Sequence, residues 1–117
     1  MKLLKITTYG KMDVVECEEE NFIDTCYREI GCDCIECPPC VNLPRHLQMI
    51  CDESGWLRDG PKFINVVGSW FYSELNPDYL IPGTIMIARR GLNSQSEEVL
   101  IGLTDEDIKF IKEIVLK

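Results

Sequence analysis

Apolar and polar residues alternate at the start of the chain, and this pattern predicts a pair of strands. Residues 2–8 alternate with a period of two, Gly10 offers a turn, and "MDVVE" (12–16) has the composition of a partner strand. Two such segments around a short glycine-containing loop are typical of a β-hairpin. We therefore expect the chain to open with two antiparallel strands.

The next apolar residues recur at helical spacing. Phe22, Cys26 and Ile30 are four residues apart, and the acidic run at 18–20 precedes them. Carboxylates in a first turn favour the positive end of the helix dipole, and Gly31 is suited to the left-handed conformation that ends many helices. The segment is predicted to be a helix that ends at Gly31.

The middle of the chain is predicted to be mostly extended. Residues 32–37 form one extended segment, and the apolar run at 46–51 predicts a strand that turns at Asp52–Gly55 and resumes at Trp56. Asn65 then precedes the short apolar run "VVGSWFY". That run fits a helix capped by Asn65 or a buried strand, because periodicity over so few residues cannot separate the two.

The last third of the chain carries clearer signals. "NPDY" (76–79) is typical of a turn, "GTIMIARR" (83–90) predicts a strand, and "GLNSQSEE" (91–98) predicts a polar loop. Thr104 is a suitable N-cap for a final helix, with carboxylates in its first turn. Apolar residues follow at helical spacing, so this helix is expected to pack on another layer.

This order of elements predicts an α+β protein. We expect a single domain over residues 1–117, with a largely antiparallel or mixed sheet and two or three helices packed on one face. The length is that of one ordinary domain, and no internal repeat, low-complexity tract or linker divides it.

The charge excludes one class of function. Twelve basic and twenty acidic side chains give a net charge of −8, which argues against a non-specific nucleic-acid binder. It suits a soluble protein or one that meets a basic partner surface. The first residues do not resemble a signal peptide, and no apolar run is long enough to span a bilayer. We therefore expect a cytoplasmic protein with reduced thiols and no membrane partner.

Four of the seven cysteines lie in "GCDCIECPPC" (31–40). They allow a zinc site built on Cys32, Cys34, Cys37 and Cys40, in which His46 or Cys51 can substitute. Thiol–disulfide exchange is less favoured, because Pro44 opposes the helix that such a motif requires after its second cysteine. Cysteine is also a small side chain that packs well on alternate positions of a strand. We favour strand lining first and zinc second.

A second candidate site is a ligand-binding group composed of Arg89, Arg90, Trp70 and Tyr72. The two arginines end a predicted strand and can hold an anion, although a solvated sheet edge explains them as well. The aromatic residues can line a pocket or pack in the core. The sequence has no P-loop, GxGxxG or EF-hand loop, and a single histidine, so we predict no catalytic residue.

Several short features in order resemble a known family. They are the acidic helix ending at a glycine, "CIE" at 34–36, the turn Asp52–Gly55, Pro61 before Asn65, Ile81 and Gly83 before a strand, and "LTDED" at 103–107. Together they are similar to the domain of unknown function 3846 family, small proteins of Firmicutes and their phages, plasmids and conjugative elements. The resemblance covers nearly the whole chain. It implies one domain and no particular activity, and the cysteines at 32–40 depart from the family pattern.

From these features we expect a small acidic binding protein of a mobile element, without enzymatic activity. Its partner would be a host protein or a second copy of the chain, bound through an acidic or aromatic surface. One alternative is a small-molecule or nucleotide-binding module that uses the arginine and aromatic group. The other is a zinc-stabilised domain that uses the cysteine cluster.

Overall fold

A computed structural model describes residues 1–57, 63–73 and 80–115. In this part of the chain six strands and three helices occur in the order β1 (Lys2–Ile6), β2 (Met12–Glu16), α1 (Phe22–Ile30), β3 (Ile35–Glu36), β4 (Leu47–Asp52), α2 (Val66–Ser73), β5 (Ile85–Leu92), β6 (Glu98–Ile101) and α3 (Asp105–Val115). A short 3-10 helix at Glu19–Asn21 leads into α1.

The strands form one antiparallel sheet in the order β2-β1-β5-β4-β3, with β6 also paired to β5. The long strand β5 organises it. One side of β5 pairs with β4, while its other side pairs first with β1, at 85–87, and then with β6, at 89–92. The predicted opening hairpin is confirmed by the pairing of β1 with β2.

Both faces of the sheet are covered by helices. Because side chains alternate along a strand, Leu4 and Ile87 join one apolar cluster, which contains Phe71 of α2 and Ile111 of α3. The opposite face contributes Leu3, Ile50, Met86 and Ala88 to a second cluster around Cys26 of α1. The predicted α+β class is confirmed. The expectation that the helices pack on one face is wrong, because α2 and α3 share one face of the sheet and α1 packs on the other.

Asn65 shows why the run after it is a helix. Its side-chain oxygen accepts a hydrogen bond from the backbone N–H of Gly68, 2.9 Å away, in the first turn of α2. Its amide nitrogen donates to the carbonyls of Ile6 and Gly83, both at 3.0 Å. The side chain therefore caps α2 and joins it to β1 and to the segment before β5, which settles the choice between helix and strand.

Three sequence predictions need correction or lie outside the structure. The strand predicted to resume at Trp56 is wrong, because residues 53–57 are turns that begin with a hydrogen bond from the Ser54 N–H to Asp52. The predicted loop at 91–98 is also wrong in part, since β5 continues to Leu92 and β6 starts at Glu98. The predicted turn at 76–79 lies outside the described residues.

Candidate functional site

Arg89 and Arg90 point to opposite faces of the sheet. Arg89 lies on the face covered by α3, where its Nη1 donates to both carboxylate oxygens of Asp107 at 2.8 and 2.7 Å. Asp107 is 5% exposed, whereas the Arg89 side chain is 33% exposed, so the ion pair lies at the edge of the buried layer. Arg89 therefore joins β5 to α3 and has its charge neutralised within the fold.

Asp107 has a second role at the start of α3. Its Oδ2 accepts a hydrogen bond from the Thr104 N–H at 3.0 Å, and its own N–H donates to Thr104 Oγ1 at 3.1 Å. This reciprocal pair is a capping box, which confirms Thr104 as the predicted N-cap. His46 Nε2 also lies 3.4 Å from Asp107 Oδ1. Burial acts to raise the pKa of Asp107, but the hydrogen bonds from Thr104 and Arg89 outweigh it and hold this pKa below its ordinary value.

Arg90 has a neutral partner instead of a carboxylate. Its Nε and Nη2 donate to Oε1 of Gln48 at 3.1 and 2.5 Å. Gln48 is 5% exposed, and its Nε2 donates to the carbonyls of Pro38 and Met49, both at 2.9 Å. Within the described part of the chain no carboxylate pairs with Arg90. The guanidinium is thus held in place without losing its net charge.

Concave surface lies on both sides of Arg90 and Gln48. One lobe, of about 340 Å³, is lined by Cys37, Gln48, Arg90, Glu98, Val99 and Leu100, and we call it the strand lobe. The other, of about 330 Å³, is lined by Pro39, Cys40, Leu43, Pro44, Arg45, Leu47, Gln48 and Arg90, and we call it the proline lobe. Together they form the Arg90 cleft.

The thiols of the cleft are neutral near pH 7. Burial raises the pKa of Cys40 to about 11, and the nearby Arg90 only partly opposes this effect. Burial of its thiol also raises the pKa of Cys37, against the same influence of Arg90 and with a further rise from Glu36. Protonated thiols are poor nucleophiles, and they leave the positive charge of Arg90 uncompensated.

The cysteines at 32–40 do not line a strand as buried side chains, so that expectation is wrong. The only strand in this segment is β3, which spans Ile35–Glu36, and the four cysteines flank it in partly or fully exposed positions. Cys34 Sγ donates to Glu53 Oε2 at 2.6 Å, whereas Cys40 Sγ lies 3.5 Å from the carbonyl of Pro38. Among the residues described, no three His, Cys, Asp or Glu side chains are grouped to hold a metal ion. The zinc site stays a prediction.

The structure does not bring the predicted aromatic residues to the arginines. Trp70 and Tyr72 are partly buried against the apolar cluster that also contains Phe71. Tyr72 lines a separate cavity of about 220 Å³ near Trp56 and Cys51. Of the four residues predicted to bind a ligand, Arg90 alone lines the Arg90 cleft.

Sequence reasoning missed Gln48, which supports Arg90. The sequence does mark Gln48 as unusual, because this glutamine interrupts the otherwise apolar run "LQMIC" of β4. A buried amide requires partners for both its donor and its acceptor, and such a residue in a central strand indicates a specific polar contact. The sequence alone does not say that this contact is with Arg90.

The exposed carboxylates occur on both helical layers. Asp24 lies on α1, whereas Asp105, Glu106 and Glu113 lie on α3, on the other side of the sheet. This distribution is the one expected of a general negative surface charge. The lining of the Arg90 cleft, with Arg45 and Arg90 against the single carboxylate of Glu98, is more basic than the protein as a whole.

Comparison of the chain with family models, with curated proteins and with solved structures gives no match. The resemblance to the domain of unknown function 3846 family therefore stays a prediction. In the ranges that the structure describes, no helix has the length and apolar character needed to cross a membrane. The fold and the cleft together define a small α+β domain with an arginine-centred concave site.

Proposed function

We propose that this protein is a non-enzymatic binding protein, and that its Arg90 cleft binds the anionic group of a ligand. The observation that carries this proposal is the uncompensated charge of Arg90. A buried amide fixes the guanidinium between two concave lobes, and no described carboxylate neutralises it. A cation held ready in a concave surface is a typical recognition group for carboxylates and phosphates.

The groups around Arg90 favour binding over catalysis. Cys37 and Cys40 are neutral thiols, and the described lining of the two lobes includes no histidine to activate them. Glu98 is the single carboxylate of that lining. Arginine and amide groups with apolar neighbours can orient an anion, but they do not move a proton near pH 7.

The ligand can be a small molecule or a group presented by another protein. The sequence-based proposals of a host protein or a second copy as partner, of a mobile-element origin and of a cytoplasmic location are consistent with such a site. The net charge of −8 would direct approach towards partners with a basic surface. The Arg90 cleft would then bind one anionic group on that partner.

The proposal can be tested by nuclear magnetic resonance on the whole chain. The ¹⁵N signals of the Arg90 side chain and of the backbone amides of Gln48 and Leu100, which line the cleft and remain in every variant, would be followed while acetate, hexanoate, inorganic phosphate or adenosine monophosphate is added. We expect at least one of these anions to shift those signals in a saturable way. Arg90→Gln should weaken the binding about tenfold or more. Arg28→Gln should not, because Arg28 carries the same charge on an exposed part of α1.

Two results would contradict the proposal. One is the absence of any saturable shift of the Arg90 signal with all four anions. The other is binding that persists unchanged in Arg90→Gln, which would place the anion elsewhere. Melting temperatures of both variants would be recorded first, so that a loss of binding is compared only between folded proteins.

A further inference from the structure

We infer that the anionic group is a carboxylate attached to an aliphatic chain, with the carboxylate on Arg90 and the chain in the proline lobe. This inference rests on the proposed function and names the class of its ligand. It follows from the edge of the guanidinium that Gln48 leaves available, from the charges around it and from the lining of the two lobes.

The guanidinium of Arg90 offers one remaining edge for a planar partner. Gln48 Oε1 accepts from Nε and Nη2, which occupies the side edge of the group. The end edge, with one N–H each from Nη1 and Nη2, has the spacing of two carboxylate oxygens. A carboxylate can therefore bind in a bidentate manner without displacing Gln48.

The surrounding charges favour a single negative charge. Arg45 is the other cation of the described lining and lies in the proline lobe. Glu98 lines the strand lobe and would repel a second negative charge on that side. A phosphate dianion usually collects several cations or backbone N–H groups, so this cleft suits it less than it suits a carboxylate.

Apolar side chains line both lobes, including Val99 and Leu100 in the strand lobe. The described lining of the proline lobe has no carboxylate, however, so it suits the chain of an anionic ligand better. The proline lobe is lined by Pro39, Leu43, Pro44 and Leu47 beside its polar groups. It is an open concavity of about 330 Å³, with room for a short chain. The described lining of both lobes contains no aromatic side chain on which a nucleobase could stack. These features favour a short aliphatic chain over a nucleotide.

The same chemistry can come from two sources. One is a free aliphatic carboxylic acid. The other is the C-terminal carboxylate of a protein whose last residue is aliphatic, since terminal carboxylates are a recognised target of peptide-binding sites. Both present a bidentate anion next to an apolar group, and the experiment below separates them.

The test is a calorimetric titration of the whole chain with a series of named probes. Acetate, butanoate and hexanoate vary the chain, and hexyl phosphate and adenosine monophosphate vary the head group. We expect affinity to rise about fourfold for each methylene that enters the lobe. Arg90→Gln should weaken hexanoate binding about tenfold or more. Leu43→Ala should weaken hexanoate binding without changing that of acetate, a result that a general loss of the site would not produce.

Two further probes separate the sources. They are a peptide with an N-terminal acetyl group and a free C-terminal leucine, and the same peptide with a C-terminal amide. Tighter binding of the free acid than of hexanoate, with no binding of the amide, supports the inference and indicates a protein partner. Hexanoate binding tighter than either peptide supports the inference and indicates a small acid.

Tighter binding of hexyl phosphate or adenosine monophosphate than of hexanoate, still dependent on Arg90, would overturn the inference. The proposed anion-binding function would survive that result. An affinity that does not change from acetate to hexanoate would also overturn the inference and leave the function standing. Failure of every probe to bind would overturn both.

Discussion

Arg89 and Arg90 are consecutive residues of β5, yet different partners hold them on opposite faces of the sheet. Arg89 donates to the carboxylate of Asp107 at 2.7 and 2.8 Å, whereas Arg90 donates through Nε to the amide oxygen of Gln48 at 3.1 Å. The period of two in a strand imposes this separation. The two arginines therefore cannot close on one anion, and only Arg90 keeps its charge available to a ligand.

The pair formed by Arg89 and Asp107 gives a first prediction about stability. Asp107→Asn removes the charge that pairs with Arg89 and weakens the capping box with Thr104. We expect the free energy of unfolding at pH 7 to fall by about 2–4 kcal/mol. Urea denaturation measures it. Asp105→Asn is the matched control, because Asp105 is exposed and solvent screens its pair with Lys2, so we expect little change in stability.

The same pair makes stability depend on pH in a defined direction. Hydrogen bonds hold the pKa of folded Asp107 below its ordinary value of 3.8, although burial opposes them. The ionised group therefore stabilises the protein above the pKa of the unfolded chain, and this contribution is lost as pH falls through the folded pKa. The stability difference between wild type and Asp107→Asn should shrink below about pH 4. A difference that stays constant down to acid unfolding would contradict this assignment.

The predictable parts of the fold are those specified by local signals. Gly31 ends α1 in the left-handed conformation, with φ of 79°, and Thr104 begins α3 through its side chain, as the sequence predicted. Strand β6 was missed because its four residues start with a polar side chain after a polar loop. Its register depends on pairing with β5, a contact between residues that no local pattern specifies.

The candidate site was predictable only in part, for a similar reason. Of the two arginines predicted as anion ligands, Arg90 lines the cleft and Arg89 does not, because adjacent side chains in a strand face opposite ways. That geometry was implicit in the predicted strand. The role of Gln48 and the separation of Trp70 and Tyr72 from the cleft depend on tertiary packing, which the sequence pattern does not contain.

Asn65 gives a second prediction about stability. Asn65→Ala would remove three hydrogen bonds and leave the Gly68 N–H and the carbonyls of Ile6 and Gly83 without their partner. We expect a loss of about 3 kcal/mol in the free energy of unfolding. Asn93→Ala is the control, since Asn93 makes comparable bonds in an exposed turn and should cost about 1 kcal/mol or less. If the two variants lost the same free energy of unfolding, the burial of Asn65 would not be what makes its hydrogen bonds important.

Gly91 and Ile101 show why β6 fits against β5. A Cβ atom at Gly91 would lie 2.6 Å from Cδ1 and 3.2 Å from Cγ1 of Ile101. We expect Gly91→Ala to lower the free energy of unfolding by about 1 kcal/mol or less, because the overlapping Cδ1 is the end of a partly exposed side chain that can shift. In a double-mutant cycle, Ile101→Ala should relieve most of that loss. Strictly additive effects would mean that the overlap with Ile101 is not the cause.

The neutral thiols of the cleft give a prediction about reactivity. Burial raises the pKa of Cys40 to about 11, so the thiolate is a small fraction of the population near pH 7. Its alkylation by iodoacetamide should accelerate about tenfold per pH unit, with no plateau up to about pH 10. Arg90→Gln should slow it further, because Arg90 lowers this pKa. Peptide mapping by mass spectrometry gives the rate for Cys40, and a plateau near pH 8 would refute the assignment.

Gln48 allows the position of Arg90 to be separated from its charge. Gln48→Met removes the amide that holds the guanidinium, so we expect the affinity for hexanoate to fall about threefold to tenfold through lost preorganisation. Gln48→Glu keeps an acceptor at the same place, so Arg90 is still held, but the new carboxylate neutralises its charge. We therefore expect a larger loss of affinity for hexanoate than in Gln48→Met. Titration of both variants with hexanoate, beside their melting temperatures, measures the two effects. If Gln48→Glu bound hexanoate as well as wild type does, the uncompensated charge of Arg90 would not be what attracts the anion.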